Sequence, residues 1–301
     1  MRKDESRWWI VGAVIGGLTA ATMMRRHLNR RPLPGAEGAE KGTALVTGAS
    51  SGIGAAYAQA LAACGYDLIL VARREGRLQE LASTLEARYP IEAEVLPADL
   101  TTAEGITRVA ERIRACADLR FLVNNAGFGT RGFFFQTDVE RQEAMVRIHV
   151  IAPLRLVHAA LPAMLEAGEG AIVNVASVAA FSPTAGHATY AGVKAFLVNF
   201  SEGLHEEVES AGLRVQALCP GYTRTEFQKA SGVPSKGIPD FLWLTPEEVV
   251  AASLRDLQIG RVVSIPGWQY KLWVAIERLM PRTWLYAFGR YFHRARQGRR
   301  K

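Results

Sequence analysis

Short runs of β-branched and aliphatic residues alternate along the chain with longer segments whose apolar residues recur at helical spacing. The short runs predict seven strands, at 43–47, 67–72, 91–96, 120–124, 171–175, 213–218 and 261–265. The segments between them predict helices at 53–64, 75–88, 103–116, 140–166, 188–211 and 246–258. Because strands that alternate with helices form parallel sheets covered on both faces, we predict an α/β fold with one doubly wound parallel sheet.

Residues 1–31 depart from this pattern, because the segment 8–24 is apolar and contains no charged residue. At about 1.5 Å per residue it would cover about 25 Å of a hydrocarbon core about 30 Å thick. Arginines follow it and oppose translocation, so we predict an uncleaved single-pass membrane anchor with the globular domain facing the cytoplasm. A cleaved secretory signal is the alternative, since the segment is short and small residues lie near its end.

Three further regions complete the predicted organisation. Proline and glycine in 32–42 predict a linker without regular structure, and 43–266 is expected to form a single domain. Residues 267–301 interleave aromatic and basic residues, and Pro281 divides their helical part in two. Such helices lie in the headgroup layer of a membrane, or pack on the domain or another subunit, and the sequence leaves both open.

The formal charge of +7 at neutral pH is concentrated at the two ends of the chain. The core between them is net negative, which argues against a basic groove for nucleic acid in the folded domain. Its composition, with 22% charged and 49% hydrophobic residues, excludes disorder for the bulk of the chain. The three cysteines, Cys64, Cys116 and Cys219, include no closely spaced pair, so we expect neither a disulfide framework nor a metal site.

The first predicted strand runs into a glycine-rich turn, TGASSGIG, which leads into a helix. Glycines in such a turn let the backbone bend sharply and approach a pyrophosphate, while the N-terminus of the following helix attracts phosphate. This context makes the turn typical of a Rossmann-type dinucleotide site. Its candidate cofactor-binding residues are Thr47, Gly48, Ser50, Ser51, Gly52, Ile53 and Gly54.

The end of the second predicted strand indicates which dinucleotide binds. An NAD site has an acidic residue there to hold the ribose 2′-hydroxyl, whereas this chain has Arg73. A guanidinium pairs with a 2′-phosphate, and Ser50 or Ser51 is expected to assist, so NADP(H) is the predicted cofactor. Arg74 is expected only to begin a solvated helix.

Tyr190 and Lys194 lie four residues apart in a predicted helix, downstream of Ser177. Residues at this spacing share one face, so the ammonium can approach the phenol. A nearby cation favours phenolate, so Lys194 is expected to lower the pKa of Tyr190 from about 10 toward neutrality, as a general acid requires. Ser177 is expected to donate a hydrogen bond to the substrate oxygen as charge develops on it.

Together, and in this order, the motifs of residues 42–266 resemble those of the short-chain dehydrogenase/reductase family. The resemblance implies that Asp99 binds the adenine amino group, and that Lys194 also holds the nicotinamide ribose. It further implies a homodimer or homotetramer. The remaining cofactor-binding residues implied by the family's motifs are Leu100, Asn124, Ala126, Gly127, Pro220, Gly221 and Thr225, with Pro220 and Gly221 bordering the nicotinamide.

His149 is a departure from that family's pattern, which usually has an asparagine here whose main-chain carbonyl holds a water linking the lysine to solvent. Pro153 has no N–H, so it cannot occupy the carbonyl of residue 149 as an ordinary helical residue would. The relay is therefore expected to survive, and His149 is a candidate to pass protons itself. The alternative is that the position merely tolerates His149 and that turnover is slower as a result.

These features predict an NADP(H)-dependent oxidoreductase that moves a hydride between nicotinamide and a carbonyl or hydroxyl group. An apolar segment at 222–246 and the predicted anchor favour a lipophilic substrate, of ketoacyl, aldehyde, sterol or retinoid type. One alternative is a membrane-bound NADP-binding module without efficient turnover, for which His149 is the evidence. Sugar-nucleotide epimerase chemistry would call for a larger substrate domain than the segment 222–246 provides.

Overall fold

The computed structural model describes residues 32–34, 42–182, 184–227, 238–281 and 283. Its core is one seven-stranded parallel sheet with the strand order β3-β2-β1-β4-β5-β6-β7, which confirms the predicted fold class. The strands are β1 Thr43–Thr47, β2 Asp67–Ala72, β3 Ala93–Pro97, β4 Leu119–Asn124, β5 Gly170–Val175, β6 Leu213–Leu218 and β7 Val263–Ser264.

Helices connect and cover these strands. They are α1 Gly52–Ala63, α2 Glu75–Arg88, α3 Ala103–Arg114, α4 Val139–Val146, α5 Ala152–Ala167, α6 Ala188–Val208, α7 Pro246–Gln258 and α8 Trp268–Leu279.

The strands are buried on both faces, as a parallel sheet between helices requires. In β1, Ala44 and Val46 pack with α1, α2 and α7, whereas Leu45 packs with α3, α5 and α6 on the opposite face. This alternation follows from the two-residue period of a strand. Each large aliphatic side chain fully buried in this way contributes about 1.5–3 kcal/mol to folding.

The strand order changes direction at β1: β2 and β3 lie on one side of it, and β4 to β7 lie on the other. The helices that follow these strands therefore leave toward opposite faces, and a crevice opens at the carboxyl ends. The register aligns those ends, since Val46 lies beside both Leu70 and Val123. The crevice is where the candidate site lies.

The helix predicted at 140–166 is interrupted. Between α4 and α5 the segment Arg147–Ile151 is π-helical, and the N–H of Ala152 bonds to the carbonyl of Arg147, five residues back. Pro153, which follows directly, offers no N–H to the carbonyl four residues before it. The helix thus uses a hydrogen bond that spans five residues instead of four, next to the place where the proline removes an ordinary helical hydrogen bond.

Residues 32–34 have no helix or strand, yet they pack on the domain. Leu33 is buried in the hydrophobic cluster on the α1 side of the sheet, and the Tyr66 hydroxyl donates a hydrogen bond to the carbonyl of Pro34. At the other end, α8 stops just before Pro281, where the sequence predicts a division between two helices. The predicted anchor at 8–24 and the second C-terminal helix lie outside the described residues.

Among the described residues, one helical stretch, Val139–Ala167, is long and apolar enough to cross a membrane. Nearly half of its most apolar window is buried within the domain, including Leu156 and Val157, which pack against the sheet and α3. This burial is typical of a core helix of a folded domain.

Candidate active site

A cavity of about 380 Å³ lies along the carboxyl edge of the sheet. Three predicted site residues, Thr47, Gly54 and Asn124, do not line it and instead support its wall from within the fold. The others do line it: Gly48, Ser50, Ser51, Gly52, Ile53, Arg73, Asp99, Leu100, Ala126, Gly127, His149, Ser177, Tyr190, Lys194, Pro220, Gly221 and Thr225.

The glycine-rich turn has the backbone that its sequence predicts. Gly48 and Gly52 have φ angles of 68° and 58°, in the left-handed region that favours glycine. A Cβ atom on Gly54 would lie 2.2 Å from the Gly48 carbonyl oxygen, so only glycine lets α1 begin this close to the turn. The open backbone and the N-terminus of α1 fit a pyrophosphate.

Thr47 ties the glycine-rich turn to the loop after β4. Its hydroxyl donates to the Val123 carbonyl over 3.1 Å and accepts from the N–H groups of Asn125 and Ala126 at 2.9 and 3.0 Å. The Asn125 side-chain amide donates in turn to the Thr47 carbonyl over 2.9 Å. Thr47 therefore positions the two loops from behind the cavity wall, and Asn125, which lines the cavity, is held by the Thr47 carbonyl.

Asn124 belongs to a chain of buried polar groups beneath the cavity. Its Nδ2 donates to Asn174 Oδ1 over 2.9 Å, and Asn174 Nδ2 donates to the Ser201 hydroxyl over 2.9 Å. Within the described part of the chain, the buried Asn124 Oδ1 accepts no hydrogen bond. This series of hydrogen bonds joins β4, β5 and α6 beneath the cavity. A buried amide left without a partner there would cost about 1–3 kcal/mol.

At the far end of the cavity, Arg74 lies closer to the glycine-rich turn than its sequence position suggests. It is the N-cap of α2, but its Nη2 lies 2.9 Å from the hydroxyl oxygens of both Ser50 and Ser51. The prediction that Arg74 only begins a solvated helix is therefore wrong. The side chain folds back because the serine hydroxyls offer acceptors within reach of its guanidinium.

Arg73 also lines the cavity, with its Nη1 3.9 Å from Asp99 Oδ2. The other carboxylate oxygen of Asp99 accepts from the backbone N–H and the hydroxyl of Thr101, at 2.9 and 2.8 Å. Asp99 is thus fixed at the start of α3 with one oxygen facing the cavity side. Two guanidinium groups and Ser50 consequently stand at the end where a 2′-phosphate is expected.

Glu226 is a cavity residue that the sequence analysis missed. Its carboxylate bridges Arg74 and Arg77, at 2.8 and 2.7 Å, and these hydrogen bonds lower the pKa of Glu226 to about 2. No local motif indicates this contact, because Glu226 lies far along the chain from both arginines. Only the approach of the loop after β6 to α2 brings the three together.

Ser177 and Tyr190 meet on the opposite wall of the cavity. Ser177 is the N-cap of the short 3₁₀ turn after β5, and its hydroxyl accepts from the Ala179 N–H over 3.1 Å. Burial raises the pKa of Tyr190 to about 12, while hydrogen bonding with Ser177 acts in the opposite direction. The phenol is therefore protonated at neutral pH.

Lys194 is almost fully buried one turn along α6. Its ammonium donates to the Val175 carbonyl over 2.6 Å and lies 5.7 Å from the centroid of the Tyr190 ring. Burial lowers the pKa of Lys194 to about 7. The predicted lowering of the Tyr190 pKa toward neutrality is wrong for this arrangement, because burial raises the pKa of Tyr190 and lowers that of Lys194, each toward the neutral form.

His149 is buried in the π-helical segment and faces the same wall. Its Nε2 lies 2.8 Å from the Phe128 carbonyl, and its ring meets that of Tyr190 edge-on at 6.1 Å. A carbonyl only accepts, so Nε2 carries the hydrogen. Burial, followed by the nearby Lys194 cation, holds the pKa of His149 well below its usual value, so the ring is neutral.

Gly127 makes room for the histidine. A Cβ atom at this position would lie 2.0 Å from His149 Cε1, far inside contact distance. Gly127 and the unusual histidine at position 149 are therefore coupled, because the His149 ring occupies the space beside the glycine. Any side chain at 127 would displace the ring from Tyr190.

The described start of the segment after β6 lines the cavity beside Tyr190. The ring of Phe227 lies 6.0 Å from that of Tyr190, and Thr223 forms a parallel bridge with Leu244. Arg224 N–H also donates to the Leu244 carbonyl over 2.9 Å. The two described parts of the apolar segment 222–246, at its start and at its end, are thus held together.

Tyr270 of α8 is a second residue that the sequence analysis did not assign to the site. Its ring packs against Gly221, where a Cβ atom would lie only 2.0 Å from Tyr270 Cζ. Its hydroxyl donates to the Leu242 carbonyl and accepts from the Tyr222 N–H at 2.9 Å. Tyr270 therefore fixes the Pro220–Gly221 wall from outside the cavity.

Within the described ranges, no cluster of three or more His, Cys, Asp or Glu side chains is arranged to hold a metal ion.

Comparison with known proteins places these features in one family. The family model described as short chain dehydrogenase matches residues 42–234. The inactive hydroxysteroid dehydrogenase-like protein 1 of Homo sapiens is 31% identical over an alignment that covers 82% of this chain and 74% of that protein. The very-long-chain 3-oxoacyl-CoA reductase of Anas platyrhynchos is 35% identical, with 70% and 67% covered.

Among solved structures, the short-chain dehydrogenase from Sphingobium yanoikuyae in complex with NADPH superposes with a TM-score of 0.74. It is 37% identical in sequence, and the match covers 82% of this chain and 95% of that one.

Proposed function

The chain belongs to the short-chain dehydrogenase family, and from this premise we propose that it is an NADP(H)-dependent oxidoreductase acting on a lipophilic carbonyl or alcohol. One observation carries the proposal. Ser177, Tyr190 and Lys194 share one wall of a cavity whose other end presents Ser50, Arg73 and Arg74. Proton-transfer groups at one end and a polyanion site at the other are what a nicotinamide dinucleotide requires.

The residues of the cavity fit the cofactor. The glycine-rich turn offers exposed backbone and a helix N-terminus to the pyrophosphate, and the family's nicotinamide supplies hydride when it is bound. Arg74, held on Ser50 and Ser51, together with Arg73, would pair with a 2′-phosphate. The second strand has no acid at its end for a free 2′-hydroxyl, which favours NADP(H) over NAD(H).

Tyr190 supplies the proton in carbonyl reduction. A phenol with a pKa of about 12 is protonated at neutral pH, and an alkoxide is a stronger base than phenolate, so transfer toward the substrate oxygen is downhill. Ser177 donates a hydrogen bond to the same oxygen as negative charge develops. Lys194, four residues from Tyr190 on α6, stabilises the phenolate that remains.

The proton returns to Tyr190 through the region of His149. Pro153 cannot donate to the His149 carbonyl, which leaves that carbonyl available to a water beside Lys194. The His149 ring, neutral and donating from Nε2 to Phe128, has Nδ1 as its acceptor. His149 therefore contributes through its carbonyl, while its ring packs edge-on against Tyr190.

The proposed substrate class is supported by apolar residues of the cavity and by the name of one relative. Phe128, Ile148 and Phe227 line the cavity, and the Phe227 ring lies 6.0 Å from that of Tyr190. One relative is named as a very-long-chain 3-oxoacyl-CoA reductase, which supports a long aliphatic ketone as substrate. The apolar segment 8–24 supports attachment to a membrane with the domain facing the cytoplasm, and the family supports a homodimer or homotetramer.

A second function is favoured by a specific observation. The human relative named as inactive is matched over most of both chains, and position 149 departs from the family's usual asparagine. The chain would then bind NADP(H) as a membrane-bound module without efficient turnover. Retention of Ser177, Tyr190 and Lys194 around one cavity favours the enzyme.

The test is a screen of NADPH oxidation with lipophilic ketones and aldehydes, using wild type and Tyr190→Phe. We expect turnover in the wild type and a loss of at least about a hundredfold in the variant, as removal of a general acid produces. NADPH binding, followed by fluorescence, should be retained in both. Wild-type protein that is folded and binds NADPH but oxidises none across the panel would support the second function instead.

A further inference from the structure

Helix α8 has one face fixed to the domain and the other open to solvent. Tyr270 and Val274 are buried, whereas Trp268 is 73% exposed and Leu279 is 86% exposed. Leu272 and Ile276 complete a stripe with them at helical spacing, and both are about half exposed. Folding of the described domain thus leaves a row of large apolar side chains in water along about 18 Å of helix.

The inner face fixes α8 against Gly221, a residue of the cavity wall. Tyr270 clamps Gly221 and Leu242, as described above, and Gln269 donates to the Phe241 carbonyl over 3.1 Å. On the other side, the Ser182 hydroxyl donates to Glu277. The helix therefore bridges the two segments that flank Ser177 and Pro220.

Phe241 adds a further exposed apolar side chain beside the start of α8. It is 66% exposed, and it lies in the short 3₁₀ turn that Gln269 and Tyr270 hold. We define the α8 face as Trp268, Leu272, Ile276, Leu279 and Phe241. Several large apolar side chains exposed together are uncommon on a soluble surface and mark an interaction site.

The exposed charges of α8 itself are all positive, whereas Asp240, beside Phe241, is paired with Arg224. Lys271 and Arg278 are exposed on the helix, and its one acidic residue, Glu277, is turned inward onto Ser182. Beyond Pro281 the sequence continues with further aromatic residues and a strongly basic tail, including Arg299, Arg300 and Lys301. A second copy of the same face would oppose cation to cation, whereas anionic lipid complements both the apolar stripe and its basic border.

We propose that the α8 face docks in the headgroup layer of a membrane containing anionic lipid, so that the cavity opens toward the bilayer. The occupant is the membrane surface itself. The apolar stripe enters the boundary with the acyl chains, and Lys271 and Arg278 remain among the lipid phosphates. Delivery of a lipophilic ketone from the bilayer to Tyr190 rests on the proposed function, whereas the docking does not.

The docking is tested on the full chain reconstituted in vesicles of phosphatidylcholine and phosphatidylserine. Cys64, the exposed cysteine of the described residues, is replaced by serine. An environment-sensitive fluorophore is then attached at Leu272→Cys or, as control, at Gln79→Cys, on the exposed surface of α2 at the opposite edge of the sheet. Lipids carrying a quencher on the acyl chain report contact with the bilayer.

We expect fluorescence at position 272 to be blue-shifted and quenched by these lipids, and fluorescence at position 79 to be unaffected. Replacement of phosphatidylserine by phosphatidylcholine should weaken the quenching at 272. Quenching at 272 no greater than at 79 would overturn the proposal. A label at 272 that is shielded from water yet insensitive to the lipid quencher would do so as well, and would assign the face to another protein surface.

The functional consequence is tested with Leu272→Gln/Ile276→Gln. The apparent KM for a ketone dissolved in the bilayer should rise about tenfold, while KM and kcat for a water-soluble ketone stay unchanged. Equal effects on both substrates would contradict delivery from the membrane. If wild type oxidises no NADPH with any ketone, the proposed function fails, and the quenching experiment still decides the docking.

Discussion

At the scale of single residues, the cavity shows how burial competes with charge. Lys194 and Tyr190 are close enough to interact, yet each is driven toward its neutral form, with pKa values of about 7 and about 12. Enclosure on the carboxyl edge disfavours both ions. The phenol therefore begins carbonyl reduction protonated, and the lysine gains most when charge develops on Tyr190 during transfer.

His149→Asn is expected to change the pH dependence of stability. The folded protein holds the His149 pKa well below 6.5, whereas the unfolded chain titrates near that value. As pH falls below about 6.5, the unfolded state takes up a proton that the folded state does not, so stability is lost. Urea unfolding at pH 7.5 and pH 5 should show a smaller loss in His149→Asn than in wild type.

The control for this variant is His158→Asn, which changes an exposed histidine on α5. It should leave the pH dependence of wild type intact. An acid-induced loss of stability as large in His149→Asn as in wild type would show that His149 is not the neutral buried base of the structure. Turnover in His149→Asn should equal or exceed that of wild type, since the backbone carbonyl beside Pro153 is retained.

Glu226→Gln is expected to strengthen NADPH binding relative to NADH. With a pKa of about 2, Glu226 is ionised throughout the physiological range. Its carboxylate forms an ion pair with Arg74 beside the expected position of the 2′-phosphate. Removing the negative charge of Glu226 frees the Arg74 guanidinium to pair with the phosphate, and it removes the repulsion between the carboxylate and the phosphate. We expect Kd for NADPH to fall about threefold to tenfold at low salt and Kd for NADH to stay constant, as measured by cofactor fluorescence.

The matched control for this comparison is Glu143→Gln, on the exposed surface of α4. It should change neither dissociation constant. Weaker NADPH binding in Glu226→Gln would mean that the carboxylate positions Arg74 for the cofactor rather than competing with it.

At the scale of elements, α1, α7 and β6 are joined by a buried relay of three side chains. The Tyr57 hydroxyl donates to Ser253, and the Ser253 hydroxyl donates to the side-chain carbonyl of Gln216. The amide of Gln216 then donates to the carbonyls of Ser253 and Arg261, both at 3.2 Å. Every polar group of the relay is satisfied far from water, so each depends on the next.

Ser253→Ala is therefore expected to lower the free energy of unfolding by about 2 kcal/mol, since it leaves two buried partners unpaired. Tyr57→Phe removes only one donor and should cost about 1 kcal/mol. Urea denaturation of the two single variants and the double variant measures the coupling. The double variant should lose less than the sum of the singles, and strict additivity would contradict the relay.

The elements themselves were largely predictable. Strands 43–47, 67–72 and 213–218 and helices 75–88 and 246–258 have the predicted bounds, because periodicity and flanking turn residues are local signals. The π-helical turn at Arg147–Ile151 was not predicted. Its cause, the missing N–H of Pro153, is visible in the sequence, but the helix continues on both sides only because α4 and α5 are packed against α6 and the sheet.

At the scale of the whole molecule, the cofactor connects parts that are far apart in the chain. The cavity is lined from the glycine-rich turn to Phe227, so a dinucleotide bound there would touch the loops after β1 to β6. A ligand that binds only the folded state stabilises it by mass action. Cofactor binding should therefore be visible in the global unfolding transition.

NADPH at about one hundred times its Kd is expected to raise the free energy of unfolding by about 2.7 kcal/mol, or Tm by about 5–10 °C. NADH at the same concentration should give a smaller shift. In Arg73→Met/Arg74→Met the two cofactors should give equal shifts, since the charges facing the 2′-phosphate are gone. Thermal unfolding followed by circular dichroism measures this, and equal shifts already in wild type would contradict the NADP(H) preference.

Local spacing was enough to identify the parallel α/β core, the glycine-rich turn and the four-residue step from Tyr190 to Lys194, since each depends on backbone geometry within a few residues. Three features required the folded chain: the return of Arg74 to Ser50, the pairing of Glu226 with that arginine, and the packing of Tyr270 on Gly221. The pKa values of Tyr190 and Lys194 belong with them. Desolvation depends on every element that surrounds a group, and no spacing along the chain encodes it.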